Sequence, residues 1–116
     1  MRDPDCLFCK IIAGEVPTDF VHRDDLVVAF RDISPKAPTH LLVIPVEHIA
    51  AASDLKEDHA PMLGRLFAVA ASLARDAGIE QTGYRIVTNS GSGAGQSVFH
   101  IHFHLMGGRS MGWPPG

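Results

Sequence analysis

Three histidines alternate along one apolar segment near the end of the sequence: His100, His102 and His104. Successive side chains of a β-strand point to opposite faces, so a strand over 98–106 would place all three imidazoles on one face. The residues between them are apolar and would face a core. Because imidazole can act as a nucleophile, a general acid or base, or a metal ligand near neutral pH, the pattern predicts a reactive site.

Two chemistries fit this strand face. The histidines could hold zinc with an open coordination position, or one imidazole could attack phosphorus while the others position it. In the loop before them, Gly91, Gly93 and Gly95 would let backbone N–H groups converge on an anion, and Gln96 and Ser97 add neutral donors. Such donors suit a phosphate whose charge grows in the transition state, which favours the phosphorus chemistry.

The chain has two cysteines, Cys6 and Cys9, in a Cys-x-x-Cys pair. In a reducing compartment this spacing is typical of a redox couple or of half a metal site, although two unrelated buried thiols would give the same pattern. A thioredoxin-like pair is disfavoured, because no strand–helix–strand pattern surrounds it.

The elements that would position these groups indicate an α+β fold in one domain spanning 1–116. A short apolar stretch over 7–13 predicts one or two helical turns. Segments rich in β-forming residues predict about five strands, at 20–21, 27–30, 41–44, 84–88 and 98–106. Asp24-Asp25 would form a hairpin turn, and the two prolines within 33–38 predict a loop. Short connections between consecutive strands favour an antiparallel sheet over a parallel one.

One long helix is predicted over about 58–77. Pro61 is tolerable within its first turn, and Gly78 is a natural stop. Apolar residues at three- and four-residue spacing are expected to face the core: Met62, Leu63, Leu66, Phe67, Ala70, Leu73, Ala74 and Ala77.

Composition excludes several classes of protein. Hydrophobic residues make up 46% and charged residues 20%, a globular balance. The net charge of -3 argues against binding long nucleic acids, and no apolar stretch approaches the ~20 residues that span a bilayer. Because the first residues lead into no secretory apolar region, we expect a cytoplasmic protein.

The segment His100-Ile101-His102-Phe103-His104-Leu105-Met106 resembles the signature of the histidine-triad (HIT) family. Further blocks resemble this family in the same order, at 8–12, 29–35, 37–40, 43–45 and 95–98. The final Trp113-Pro114-Pro115-Gly116 is similar to the end of the family's nucleotide-binding, phosphoramidase branch. The resemblance implies a HIT-like fold that dimerises. Because Pro114 and Pro115 stiffen the tail that presents Trp113, we expect this tail to reach the partner's substrate site. Trp113 could instead fold back on its own subunit, or the tail could be disordered.

The resemblance also implies the catalytic roles. His102 would be the nucleophile that forms a nucleotidyl-histidine intermediate, and His104 and His40 would orient and polarise it. Ser97 would lie near the departing amine. No catalytic metal would be required, which agrees with the lack of an Asp/Glu cluster for Mg²⁺ in the sequence.

A purine nucleotide would be held by three groups of residues. Asn89, Gly95, Gln96 and Ser97 would hold the α-phosphate beside His102 and His104, and Asp32 would accept the ribose hydroxyls. An apolar slot for the base would consist of Leu7, Phe8, Ile11, Phe30 and Ile33. Without the family, the apolar residues could be plain core, Asp32 could cap the following loop, and His40 could be structural.

Relatives with a Cys-x-x-Cys pair imply a structural zinc ion here, held by Cys6, Cys9, His48 and His100. The resulting expectation is a homodimeric hydrolase that cleaves the P–N bond of purine nucleoside 5′-monophosphoramidates. A dinucleoside polyphosphate hydrolase is the nearest alternative enzyme. A nucleotide-binding regulatory module with incidental catalysis is the alternative from another class.

Overall fold

Five antiparallel strands form one open sheet in the order β1-β2-β3-β5-β4. The computed structural model describes residues 2–116. The strands are β1 (Phe20–Arg23), β2 (Val27–Arg31), β3 (Thr39–Pro45), β4 (Tyr84–Val87) and β5 (Phe103–Gly107). The helices are α1 (Leu7–Ile12) and α2 (Ala60–Asp76). The predicted α+β class, short helix, hairpin and number of strands are confirmed.

The central strand β3 pairs with β2 on one side and with β5 on the other. Its side chains alternate between two apolar layers, as the two-residue period of a strand requires. Leu41 and Val43 pack in the layer beneath α2, and Leu42 and Ile44 pack in the layer beneath α1. His40 shares the α1 face with Leu42, so this face also carries the histidines described below.

The long helix begins and ends close to its prediction. A 3-10 turn at Glu57–His59 leads into α2, Pro61 lies in its first turn, and Gly78 with φ +74° follows its end. The apolar stripe was wrong at two positions, because Phe67 and Ala77 are exposed. At 3.6 residues per turn Phe67 lies about 100° from the centre of the buried face, and Ala77 is the residue that caps the helix. Val69, which the predicted stripe did not include, is buried.

The last strand is shorter than the predicted 98–106, because β5 begins at Phe103. Pairing with β3 ends at Val43 and Phe103. Two positions further along β3, Pro45 has no N–H with which to continue the ladder, and Ile101 donates instead to the carbonyl of Ile49 at 2.6 Å. The bends over 98–100 leave the alternation intact, since Ile101 and Phe103 are still buried in the α2 layer.

Within residues 2–116, no helix is both long and apolar enough to cross a membrane.

Candidate active site

His102 lies just before β5 and is 8% exposed. Its Nδ1 is 2.8 Å from the carbonyl oxygen of His100. Because a carbonyl can only accept, Nδ1 carries the ring proton and Nε2 keeps its lone pair. The edge contact with Phe8, at 5.1 Å between ring centroids, restrains the ring further. This arrangement commits Nδ1 to the backbone and leaves Nε2 as the ring nitrogen that can act as a nucleophile.

Two further histidines form a hydrogen-bonded pair beside it. Nε2 of His40 lies 2.9 Å from Nδ1 of His104, and the backbone N–H of Lys36 donates to Nδ1 of His40 at 2.9 Å. Burial lowers the pKa of His40 and of His104, so both rings are neutral near pH 7. The Lys36 N–H therefore places the His40 proton on Nε2, which donates to His104 and leaves the His104 proton on its own Nε2.

Asp32 lies against this pair. One carboxylate oxygen accepts the N–H of Ser34 at 2.8 Å, so Asp32 does cap the loop that follows it. The other oxygen is 3.4 Å from Nε2 of His40 and 3.9 Å from Nδ1 of His104. These three atoms are close enough to surround a metal ion, but His40 would first have to lose its remaining ring proton. The hydrogen bonds therefore favour a proton-bearing pair over a metal centre.

The glycine-rich loop uses several of its backbone N–H groups internally. A 3-10 turn at Ser92–Ala94 uses the N–H groups of Ala94, Gly95 and Gln96 in hydrogen bonds to loop carbonyls. The N–H of Gly91 donates to the side chain of Gln96 at 2.8 Å. Gly91 and Gly95 have φ of +91° and +95°, so glycine is needed here for the turn. These four N–H groups therefore have protein acceptors within the loop, and the binding of an anion by this loop stays a prediction.

The other predicted phosphate ligands occupy different parts of this region. Gln96 is 4% exposed, and its amide also donates to the carbonyls of Ala50 and Val98. Ser97 is exposed on a cavity of 320 Å³ that Leu7 and His48 also line. Asn89 lines a separate cavity of 470 Å³, shared with β4 and the carboxy-terminal tail. In residues 2–116, neither Ser97 nor Asn89 makes a side-chain hydrogen bond to the histidines.

The five apolar residues of the predicted base slot divide into two groups. Phe8, Ile11 and Phe30 are buried together in the α1 layer, where Phe8 and Phe30 meet edge to face at 5.7 Å. Leu7 is 46% exposed and Ile33 is 98% exposed. A fully exposed Ile33 contributes little to the core, so its side chain is free to contact a ligand.

Cys6, Cys9, His48 and His100 form one cluster, with all four potential ligand atoms within 4.8 Å of one another. The sulfur-to-Nδ1 distances are 3.4, 3.5 and 3.6 Å, and the two Nδ1 atoms are 3.2 Å apart. Zinc bonds of about 2.3 Å to sulfur and about 2.0 Å to nitrogen would separate tetrahedral ligands by about 3.3 Å for two nitrogens and about 3.5 Å for nitrogen and sulfur, close to the distances found here.

The hydrogen bonds around the cluster also suit a metal. Nε2 of His100 donates to the carbonyl of Pro45 at 2.8 Å, so its Nδ1 lone pair faces the thiols. Burial lowers the pKa of His100 to about 4, which keeps this ring in the neutral form that binds metals. The donor set fits a closed, structural zinc site that would join α1 to the segment before β5.

Sequence reasoning missed several groups that hold the histidines. The hydroxyl of Thr88 donates to the carbonyl of His102 at 2.8 Å, and the backbone of Lys36 fixes the His40 proton. Arg109 in turn donates to the carbonyl of Lys36 at 2.8 Å. A hydroxyl at the end of a strand was a weak sequence signal for Thr88. The other two contacts depend on loop geometry, and nothing in the sequence pointed to them.

Comparison with known proteins agrees with this geometry. A family model described as HIT domain matches residues 13–111. The chain is 51% identical to the purine nucleoside phosphoramidase of Escherichia coli K12, over 91% of this chain and 89% of that protein. It is 47% identical to the 14 kDa zinc-binding protein of Zea mays, over 100% of this chain and 91% of that protein.

Among solved structures, a HIT family hydrolase from Legionella pneumophila Philadelphia 1 superposes with a TM-score of 0.94 at 52% identity. The match covers 97% of this chain and 100% of that one. A family model that spans most of the sequence and a near-complete structural match lead to the same conclusion: the chain belongs to the HIT domain family.

Proposed function

We propose that this protein hydrolyses the P–N bond of purine nucleoside 5′-phosphoramidates through a covalent intermediate on His102. The observation that carries the proposal is the ring orientation of His102. Its Nδ1–H is held by the His100 carbonyl at 2.8 Å, which leaves Nε2 unprotonated beside the His40–His104 pair. The likeness to a purine nucleoside phosphoramidase at 51% identity supports this choice of substrate.

In the first step, Nε2 of His102 attacks the α-phosphorus. The bond from phosphorus to the substrate nitrogen breaks, and the departing amine takes a proton from water. His102 then carries the nucleotidyl group on Nε2 and a proton on Nδ1, so its ring is positively charged. The His100 carbonyl stabilises this cation by accepting the Nδ1–H, a charge-assisted hydrogen bond.

In the second step, water attacks the same phosphorus and gives up a proton to the hydroxide that the first step formed. The bond between phosphorus and Nε2 breaks, which releases the nucleoside monophosphate and restores neutral His102. Negative charge grows on the phosphate oxygens in both steps, and the Nε2–H of His104 can donate to one of them. The net reaction consumes one water and yields one amine and one monophosphate.

The nucleotide would lie across the α1 face of the sheet. Phe8, Ile11 and Phe30 form an apolar floor, and Leu7 and Ile33 supply exposed side chains at its rim. A carboxylate such as Asp32 can accept hydrogen bonds from ribose hydroxyls, and one of its oxygens makes no backbone hydrogen bond. Asn89, Gly95, Gln96 and Ser97 remain proposals for the phosphate site from the family resemblance.

A turnover assay separates the candidate activities. Purified protein should release amine from adenosine 5′-phosphoramidate with a kcat/KM far above that for diadenosine tetraphosphate. The reverse order would favour a dinucleoside polyphosphate hydrolase. Tight nucleotide binding without turnover of either compound would favour a regulatory module.

We infer that a structural zinc ion occupies the Cys6, Cys9, His48 and His100 cluster. Bound there, zinc would supply a cross-link between α1 and the segment that carries His102. The name of the Zea mays relative, a zinc-binding protein, supports the choice of metal. His102 and the His40–His104 pair lie outside this ligand set, so no step of the proposed reaction is assigned to this zinc ion.

A homodimer is also proposed. The strand β4 is an edge of the sheet, and Phe67 on α2 is 46% exposed while its ring contacts Phe103 of the neighbouring strand β5. Trp113 is 84% exposed, and the backbone next to it is anchored by a hydrogen bond from Arg85 to the Gly112 carbonyl at 2.7 Å. An anchored tail with an exposed tryptophan is suited to contact a partner. Light scattering at micromolar concentration tests the dimer, and a monomer would contradict it.

A further inference from the structure

Two contacts join the turn after β5 to the loop between β2 and β3. Nε of Arg109 donates to the carbonyl of Lys36 at 2.8 Å. Gly108, with φ +91°, passes so close to Pro38 that a Cβ on this residue would lie 2.9 Å from the Pro38 ring. The loop that faces the histidines is therefore held from outside by residues that immediately follow the histidine strand.

Lys36 has the least restricted backbone dihedral angles among the three residues that precede Pro38. The ring of Pro35 fixes its own φ, and Ala37 is restricted because it precedes Pro38. The φ and ψ of Lys36 have neither restriction, yet both its polar backbone groups are used. Its N–H donates to His40 and its carbonyl accepts from Arg109. These two groups lie in adjacent peptide planes joined by the Lys36 φ and ψ, so holding the carbonyl restricts the rotations that would turn the N–H away from His40.

The direction of that N–H decides where two ring protons lie. With the Lys36 N–H on Nδ1, His40 must carry its proton on Nε2 and donate to His104. His104 is then protonated on Nε2, the ring nitrogen with no partner in residues 2–116. Without the Lys36 N–H, His40 could carry its proton on Nδ1, and the donor on His104 would no longer be specified.

We propose that Arg109 is a positioning residue for catalysis, which acts through the Lys36 backbone and His40 to keep the proton of His104 on Nε2. Arg109 itself is exposed and forms its side-chain hydrogen bonds to Lys36 and to Ser110. Its effect reaches His104 through three successive hydrogen bonds of 2.8, 2.9 and 2.9 Å. This proposal rests on the proposed function, because the donor on His104 is assigned to the phosphate there.

The test compares Arg109→Met and Arg109→Ala with Arg75→Met. Arg75 is a matched control, because it is another exposed arginine, on α2, whose partner is Glu80. For both Arg109 variants we expect kcat on adenosine 5′-phosphoramidate to fall about tenfold, with KM within about twofold, since a donor to the transition state is weakened. Arg75→Met should match the wild type.

Nitrogen-15 NMR of the histidine rings supplies a readout that does not require turnover. In the wild type, His40 and His104 should each show a single Nε2–H tautomer, and in the Arg109 variants both should show averaging of the two tautomers. Unchanged tautomers in folded Arg109→Met and Arg109→Ala would overturn the proposal, even if kcat fell. If the wild type shows no turnover, the proposed function fails, while the NMR comparison still decides the role of Arg109.

Discussion

Removal of zinc from the Cys6, Cys9, His48 and His100 cluster is expected to lower the melting temperature sharply. The perturbation is either a strong chelator or the double variant Cys6→Ser/Cys9→Ser. Cys9 and His100 are 2% and 0% exposed, so loss of the ion leaves a thiol and an imidazole facing each other in the interior. Without the ion, the 3.2 Å contact between the two Nδ1 atoms is a hydrogen bond only when His48 carries its proton on Nδ1.

The size of the effect follows from mass action. At free zinc 100 times its Kd, binding to the folded chain alone contributes about 2.7 kcal/mol. An unfolding entropy of about 2.1 cal/mol/K per residue gives about 0.24 kcal/mol/K for 116 residues. Complete removal of zinc should therefore lower Tm by about 11 °C under those conditions.

Metal analysis and differential scanning calorimetry would measure both quantities. Protein prepared without chelators should contain about one zinc per chain. The chelator should lower the wild-type Tm but leave that of the double serine variant unchanged, which is the matched control. At room temperature, where the zinc-free protein is still folded, kcat should fall only slightly. The reason is that His102 keeps its hydrogen bond to the His100 carbonyl. The reasoning would be refuted if the purified protein contained no zinc and the chelator did not change its Tm.

Three other predictions concern pH, the base slot and the tail. Burial alone would raise the pKa of Asp24, but hydrogen bonds, from His22 first, hold it well below its ordinary 3.8. Its contribution to stability is therefore present above about pH 4 and lost as pH falls below that, and Asp24→Asn should flatten this part of the pH dependence of urea unfolding. Ile33→Ser should raise KM for the phosphoramidate several-fold with no change in Tm, whereas Phe30→Ala should cost about 3–5 kcal/mol of stability in the same unfolding assay. Equal effects of these two variants on Tm would contradict the assignment of Ile33. Deletion of Gly112–Gly116 should change the order of preference among amine leaving groups and leave a dimer by light scattering, and an unchanged order would remove the proposed role of the tail.

Much of the fold followed from local pattern. Apolar spacing predicted α2 to within two residues at each end, because a long periodic segment has one face to bury. The alternation of histidines with apolar residues placed the imidazoles on one face even though β5 begins only at Phe103. Alternation depends on an extended backbone, and a regular ladder is not required for it.

The sequence could not predict which backbone groups serve the site. The three glycines of the loop suggested backbone N–H groups that are free to bind an anion. In the structure, the N–H groups of Ala94, Gly95 and Gln96 instead donate to carbonyls of the loop. The proton positions on His40 and His104 depend on a loop N–H from Lys36, whose direction is set by a tertiary contact with Arg109. The contact between Arg109 and Lys36 joins residues 73 positions apart, and no periodic pattern in the sequence indicates it.

Trapping of the covalent intermediate tests the central claim most directly. Protein mixed with adenosine 5′-phosphoramidate, quenched within one turnover and digested under alkaline conditions that preserve phosphohistidine, should yield one peptide heavier by an adenylyl group. Fragmentation should place that group on His102, and His102→Ala should show neither adduct nor turnover while it still binds the nucleotide. An adduct on another residue, or turnover by His102→Ala at the wild-type rate, would contradict the assignment of His102 as the nucleophile.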